Sequence, residues 1–374
     1  MNTDKKQIEW LNTVKGLACW MVFLGHFECD FPYIPGLQGL YDKLPVLQFI
    51  SDETMALNMF YIVIGFVAAS RFADLEKGFA SKAGKSVIKR YFRLTLPVFL
   101  MNLIVLILQM AGLGSDRVSG MFLVKYTFPG ALRDAFVEAP FIGSNVFNTN
   151  VWMLNHLFIG YIFALIACMI VRTLDGKKEI PVLGVISLLL WMCDFYPATI
   201  IFGVFLQRVA VADRTEKMSS ALRNCLGLAF LIAGILVTSY SRWFPGLFSE
   251  SLPEKPLRVW WDYCWAGAML IMAGLVLSPL LKKVLEIKPL PFLGRICFPV
   301  YLFHRVWNAT VVARVYDRYY SPNMDKGAGC RAAFPVSVLM TLGFSLVYYF
   351  LIEPYLNKLT DLIVNRITSR RAHI

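Results

Sequence analysis

Three of the four histidines, His26, His156 and His304, lie inside long apolar stretches. An ionisable side chain is costly in such a setting unless it faces a cavity or a partner. An imidazole titrating near neutrality can take or return a proton, or carry a group in transit. Its structural alternative is a neutral ring hydrogen-bonded between helices. Lys15 precedes His26 by eleven residues, close to three turns at about 3.6 residues per turn, so a helix would project both side chains from one face. A cation at the mouth of such a face could hold a phosphate while the imidazole works about 16 Å deeper. Lys15 also reads as a residue that marks the cytoplasmic end of a span.

Two further sets of residues could do chemistry. Asp30 follows His26 by four residues and would orient its ring if the helix ran that far. If the helix ends at Phe27, Asp30 is a loop acid, and that is the reading the sequence favours. The stretch KAGKSVIKRYFR carries the cations Lys82, Lys85, Lys89, Arg90 and Arg93 with no acid among them. Arg90 and Arg93 are three apart and share a helical face, where two forked guanidinium groups could grip a polyphosphate. Taken alone, the run reads first as a basic cytoplasmic loop beside anionic lipid.

The elements that must position these residues are set by composition. Of 374 residues, 57% are hydrophobic and 17% charged, against about 45–50% and about 25% in ordinary globular chains. Mean hydropathy is +0.57. A disordered, collagenous or disulfide-stapled chain is excluded, and one water-solvated core could not hide so much apolar surface. The eight cysteines are scattered through apolar stretches with no C-x-x-C and no histidine at metal spacing, so they read as small buried hydrophobes and no metal site is expected.

A lipid-crossing helix needs about 20 apolar residues. Ten candidate spans follow: Leu11 to Phe27, Ala56 to Ser70, Leu94 to Ala111, Val151 to Val171, Ile180 to Cys193, Ala198 to Leu206, Asn224 to Tyr240, Val259 to Ser278, Pro291 to Ala313 and Ala332 to Ile352. The fifth and sixth are short and parted by Asp194, Tyr196 and Pro197, so they read as two tight crossings or a re-entrant hairpin. With the N-terminus inside, 25 of the 37 Lys and Arg fall on the inner side, 11 outside, and Arg305 within a span. That bias is the positive-inside pattern. The net charge of +12 is therefore a topology signal and not a nucleic-acid footprint.

These readings define an all-α, polytopic integral membrane bundle of about ten helices with both termini cytoplasmic. The segment around Pro253 is external, and residues 1–374 form one membrane domain with no separate soluble domain. The first span reads as retained, because Glu28, Asp30 and Pro32 follow it in place of a cleavage site. His26 and His304 fall about 16 and about 15 Å from the cytoplasmic ends of their spans, and His156 enters from the other side. All three then lie in the outer half of the bilayer.

The segment Lys15 to His26, KGLACWMVFLGH, resembles the basic-x10-His motif of the acyltransferase-3 family of integral membrane acyltransferases. Arg90 to Arg93, RYFR, resembles its R-x-x-R motif, and Phe292 to His304, FLGRICFPVYLFH, is similar to its late signature span. The pair Glu353 and Pro354 closes span ten in the same manner. The resemblance runs through nearly the whole chain. It departs at Val151 to His156, where many relatives carry glutamates after a W-x-L and this chain has no acid, and it lacks the C-terminal esterase-like domain of some members.

What the resemblance implies is transfer of an acyl group, commonly acetyl, from cytoplasmic acyl-coenzyme A. The acceptor would be a hydroxyl on an extracytoplasmic or membrane-embedded molecule, often a cell-surface glycan. Lys15, Arg90 and Arg93 would hold the donor acetyl-CoA. His26 would act on the acceptor hydroxyl or carry the acyl group, with His304 and Asp30 beside it, in a multi-pass protein of the cell membrane. Two other readings compete: a transporter with a histidine and Arg305 path, and a membrane scaffold whose histidines only pack.

Overall fold

The computed structural model describes residues 3–32, 41, 43–75, 77–118, 120–193, 195–212, 217–243, 256–320 and 324–369. Every regular element among them is helical. The principal helices are α1 (Thr3–Asp30), α2 (Glu53–Phe72), α3 (Phe79–Met110), α4 (Met153–Val171), α5 (Gly176–Met192), α6 (Pro197–Ala210), α7 (Ser220–Trp243), α8 (Pro256–Leu277), α9 (Cys297–Trp307), α10 (Lys326–Val347) and α11 (Glu353–Ser369). Asp194 and Pro253 lie outside the described residues.

Among the described residues, five helices are long and apolar enough to cross a membrane: Glu53–Phe72, Phe79–Met110, Met153–Val171, Ser220–Ser239 and Lys326–Ser369. A sixth arises if Tyr263–Leu277 and Pro279–Leu285, bent by 97°, form one broken span. The remaining expected spans exist as helices of another character. Helix α1 is 28 residues long but mixes Lys15, Glu28 and Asp30 with its apolar residues. Helices α5 and α6 have 17 and 14 residues, roughly 25 and 21 Å of rise against a hydrocarbon core of about 30 Å.

Three expectations are corrected. The basic run is not a loop, because α3 starts at Phe79, directly after Gly78 at φ +72, and carries Lys82 to Arg93 in its first turns. Ala, Lys, Ser and Arg are all compatible with a helix interior, and no glycine or proline strong enough to stop it intervenes. The ninth span is not one rod. It is divided into Leu290–Arg295, α9, a π-helical turn over Asn308–Val312 and Ala313–Tyr320. Finally, Cys29, Cys193 and Cys225 are exposed, whereas Cys19, Cys168, Cys264 and Cys330 are buried.

The chain forms two compact units that interleave in sequence. One comprises Met1–Gly25, Gly36–Asp74 and Phe163–Cys297, and the other His26–Pro35, Leu75–Ile162 and Phe298–Ile374. Lipid offers no hydrophobic drive between helices, so close backbone packing and polar bonds must hold such units together. In the first unit, a Cβ on Gly65 of α2 would run into the carbonyl of Ile200 on α6, and one on Gly203 of α6 into the carbonyl of Ile62. Helices α7 and α8 use the same device twice. Cβ atoms at Gly227 and Gly274 would stand 2.7 and 2.5 Å from each other's carbonyl oxygens, and Gly234 and Gly267 repeat the pattern two turns on. Arg208, at the end of α6, ties α5 and the end of α2 together by donating to Glu179 at 2.7 Å and Asp74 at 2.8 Å.

The second unit is assembled from the end of α1, α3, the start of α4, and everything after α9 begins. Phe27 and Phe31 are wholly buried and pack on Phe334 and Tyr316 at ring separations of 5.2 and 5.1 Å. Between α3 and α4, buried Asp134 accepts from Asn102 at 2.8 Å and Ser144 at 2.6 Å. Burial pushes its carboxyl above the usual carboxylate range, and those two bonds oppose the rise.

Candidate active site

The second unit carries a polar cluster built from α1, α9 and the three residues 148–150 that precede α4. His26 and Asp30 are one turn apart on α1 and so share a face. Tyr301, His304, Arg305 and Asn308 follow the i, i+3, i+4, i+7 spacing along α9 and its π turn, which gives them a common face as well. The two faces meet in register. His26 Nδ1 stands 2.9 Å from His304 Nε2, with the two ring planes within 10° of parallel and the ring centroids 5.2 Å apart. One turn along, the Asp30 carboxylate accepts from Arg305 Nη2 and, at 3.0 Å, from Asn308 Nδ2.

The preceding loop locks onto α9 through each of its three residues. Asn148 Nδ2 donates to the Leu302 carbonyl at 2.7 Å, Arg305 Nη1 donates to Thr149 Oγ1 at 2.6 Å, and Asn150 Nδ2 faces His304 Nε2 at 3.2 Å. Tyr301 adds a hydroxyl bond to the Asn150 carbonyl. Asn308 accepts from Ser337 at 2.7 Å, which joins α10 to the network. His304, Asn148, Asn150 and Asn308 are all buried, while His26 is half-buried. The π turn beginning at Asn308 accompanies this crowding, as π turns often do at functional sites.

Proton positions follow from the partners. His304 Nδ1 lies 2.9 Å from the Val300 carbonyl oxygen, which can only accept. A neutral His304 therefore carries its hydrogen on Nδ1 and presents a lone pair at Nε2. His26 Nδ1 must then donate to that lone pair, which leaves His26 Nε2 as the unprotonated, basic nitrogen. Buried Asn150 Oδ1 has no hydrogen-bond partner among the described residues, so a substrate donor group placed there would meet an acceptor already stripped of water.

The sequence-derived candidates separate into groups. His26, His304 and Asp30 come together in one cluster, but Asp30 does not take the part assigned to it. Helix α1 continues through Asp30 and buries it, so it is no loop acid, and its carboxylate is met by Arg305 and Asn308 while His304 meets the His26 ring. His156 packs edge-on against Trp152, in the turn that precedes its helix, at 5.2 Å. Lys15 is half-buried on α1 within the other unit.

On α3, Arg90 donates from Nε to the Leu157 carbonyl at 3.1 Å and lies 4.6 Å from the centroid of the Tyr161 ring, so its guanidinium is held by α4. Arg93, one turn on, is exposed. The basic run is also answered from α11, since Lys89 pairs with Asp361 at 2.6 Å and Lys85 donates to Asn365 at 3.2 Å.

Sequence reading missed Asn148, Thr149, Asn150 and Asn308. The only signal was a polar triplet just before an apolar stretch, which looks like any loop. Among the described residues no group of three or more His, Cys, Asp or Glu is placed to hold a metal ion.

Comparison with known proteins adds one finding. The acyltransferase-3 family model, described as an acyltransferase domain, matches residues 8–350. No curated protein and no solved structure gives a significant match. The matched segment covers most of both units and takes in the paired histidines, four of the five helices long enough to cross a membrane and the start of the fifth. The chain is a membrane-spanning acyltransferase that belongs to the acyltransferase-3 family.

Proposed function

We propose that the protein transfers an acyl group, acetyl by preference, from cytoplasmic acyl-coenzyme A to a hydroxyl on an extracytoplasmic or membrane-embedded acceptor, with a cell-surface glycan the acceptor class favoured. In this reading it is a multi-pass protein of the cell membrane with about ten crossings and both termini cytoplasmic. The observation that carries the reading is the paired imidazoles, whose hydrogen-bond order puts a basic nitrogen on His26.

His26 Nε2 takes the proton of the acceptor hydroxyl as that oxygen attacks the acyl carbon, and returns it to the departing sulfur as the carbon–sulfur bond breaks. His304 holds the His26 ring in the tautomer that this step needs, much as a buried partner orients a catalytic base elsewhere. The coenzyme supplies an activated thioester. Arg93 and Arg90 bind its phosphates with forked donors, and Lys15, on the helix that carries His26, adds a cation eleven residues before it. The residues present suit an anionic, elongated donor.

Membranes containing the protein, given labelled acetyl-coenzyme A, should release free coenzyme A and place label on a membrane-associated or external acceptor. Coenzyme release and acceptor labelling both absent, with protein of native stability, would overturn the reading in favour of a carrier or scaffold.

A further inference from the structure

Asn150 belongs to no motif quoted above, yet it touches the ring that sets the direction of the imidazole pair. Its Nδ2 faces His304 Nε2 at 3.2 Å, the same nitrogen that His26 Nδ1 approaches at 2.9 Å. The other side of the His304 ring is committed to the Val300 carbonyl. An amide can present either its NH2 or its oxygen, and the ring decides which. With Nδ1–H bound to a carbonyl, Nε2 of the neutral ring is an acceptor, so Asn150 must offer its NH2. The arrangement is self-consistent because the amide oxygen is left as the unpartnered atom.

A second N–H at Nε2 would face the Asn150 N–H groups head on. Protonation of His304 there is thus opposed by Asn150. The residue is held in place for this task, since its carbonyl accepts from Tyr301 and its N–H donates to Asn148 Oδ1 at 3.1 Å. Its side chain is fully enclosed, where an unfavourable N–H to N–H contact could not be relieved by water.

We infer that Asn150 is a positioning residue that fixes the polarity of the relay: its NH2 keeps His304 Nε2 an acceptor, which keeps the hydrogen of His26 on Nδ1 and leaves Nε2 basic. The inference rests on the acyl-transfer reading for its catalytic meaning, but the polarity itself does not. Replacing the NH2 by an oxygen reverses the order. Asn150→Asp puts a carboxylate at the same point, which calls for N–H at His304 Nε2. His26 Nδ1 must then accept, and the His26 hydrogen moves to Nε2, the position where the base is needed.

The test compares wild type, Asn150→Asp and Asn150→Ala, each labelled with 15N-histidine in lipid vesicles, with His26→Gln and His304→Gln used to assign the rings. Wild type should show His26 and His304 both in the Nδ1–H form, the minor tautomer of free imidazole. Asn150→Ala, which keeps the Val300 bond but loses the NH2, should admit a measurable fraction of His26 in the Nε2–H form and lower the single-turnover acyl-transfer rate, by less than Asn150→Asp does. Asn150→Asp should show His304 protonated on both nitrogens, His26 in the Nε2–H form, and a rate lowered about 100-fold or more, the scale of a lost general base. A residue needed only for packing would give the opposite ranking, with the isosteric Asp tolerated better than Ala.

Finding His26 in the Nε2–H form in wild type overturns the inference even if Asn150→Asp fails to fold. An unchanged His26 spectrum in a folded Asn150→Asp does the same. If the spectra follow the stated pattern while no variant transfers acyl groups, the polarity stands and the acyl-transfer reading falls.

Discussion

Asp30 and Arg305 form an ion pair whose side chains are 1% and 12% exposed. A buried charge that loses its partner is costly, typically about 3–5 kcal/mol, whereas removing both charges together costs far less. Arg305→Met should therefore lower stability in detergent by an amount in that range, and Asp30→Asn with Arg305→Met should recover most of it, as measured by chemical unfolding. Equal losses in the single and double variants would mean that the pair contributes packing and not charge.

The cations of α3 divide differently. Arg93 is exposed, so Arg93→Ala should raise the KM for the acyl donor with little change in kcat or stability. Arg90→Ala should also loosen α3 from α4, because the Leu157 bond goes with it. Arg90→Lys restores the charge without the fork and should rescue donor use only in part. Wild-type transfer by both alanine variants at limiting donor would assign the run to membrane topology.

His26 and His304 were legible as single intramembrane imidazoles, and Lys15, Arg90 and Arg93 as cations at suggestive spacings. Their pairing was not legible, because a contact across 278 positions leaves no periodicity behind. In the sequence Asp30 has the look of a loop acid, since no cap or stop signal marks that α1 runs three residues past Phe27.

At the level of the helix, packing rests on reciprocal glycines as well as on apolar area. Gly65→Val or Gly203→Val would drive a side chain into the facing backbone of the α2 and α6 pair, which cannot yield as a flexible side chain can. Overpacking of this kind costs about 1–3 kcal/mol or more, and thermal unfolding in detergent should fall accordingly. Gly84→Val, at a site on α3 with nothing within 4 Å, serves as the control and should be neutral or slightly stabilising, because glycine is the poorer helix former of the two. A larger loss at Gly84 than at Gly65 would contradict the packing account.

Hydropathy located the helices well, since apolar runs must be helical where water is absent. It located their ends poorly at α3 and around α9. Polar but helix-compatible residues extend α3 by fifteen positions before Leu94, and the bend at Ile296 and the π turn after Trp307 both fall inside one apolar run, where hydropathy carries no mark of them.

Across the whole molecule, the distribution of Lys and Arg remains the basis for orientation. Reporters fused after Arg172 or Lys217 should read cytoplasmic, and one near Pro253 external. An external signal at Arg172 would invert the donor side and with it the proposed use of Lys15, Arg90 and Arg93. The length of α5 and α6 makes their hairpin the place where a count of ten crossings is most sensitive.

The central claim is that His26 is the base in acyl transfer. Its most direct test is a single-turnover assay with labelled acetyl-coenzyme A and an added glycan acceptor, using purified wild type and His26→Ala in lipid vesicles at matched amounts and equal thermal stability. Wild type should transfer label, and His26→Ala should show none above background even at saturating donor. Substantial transfer by His26→Ala would contradict the account, whatever the other residues contribute.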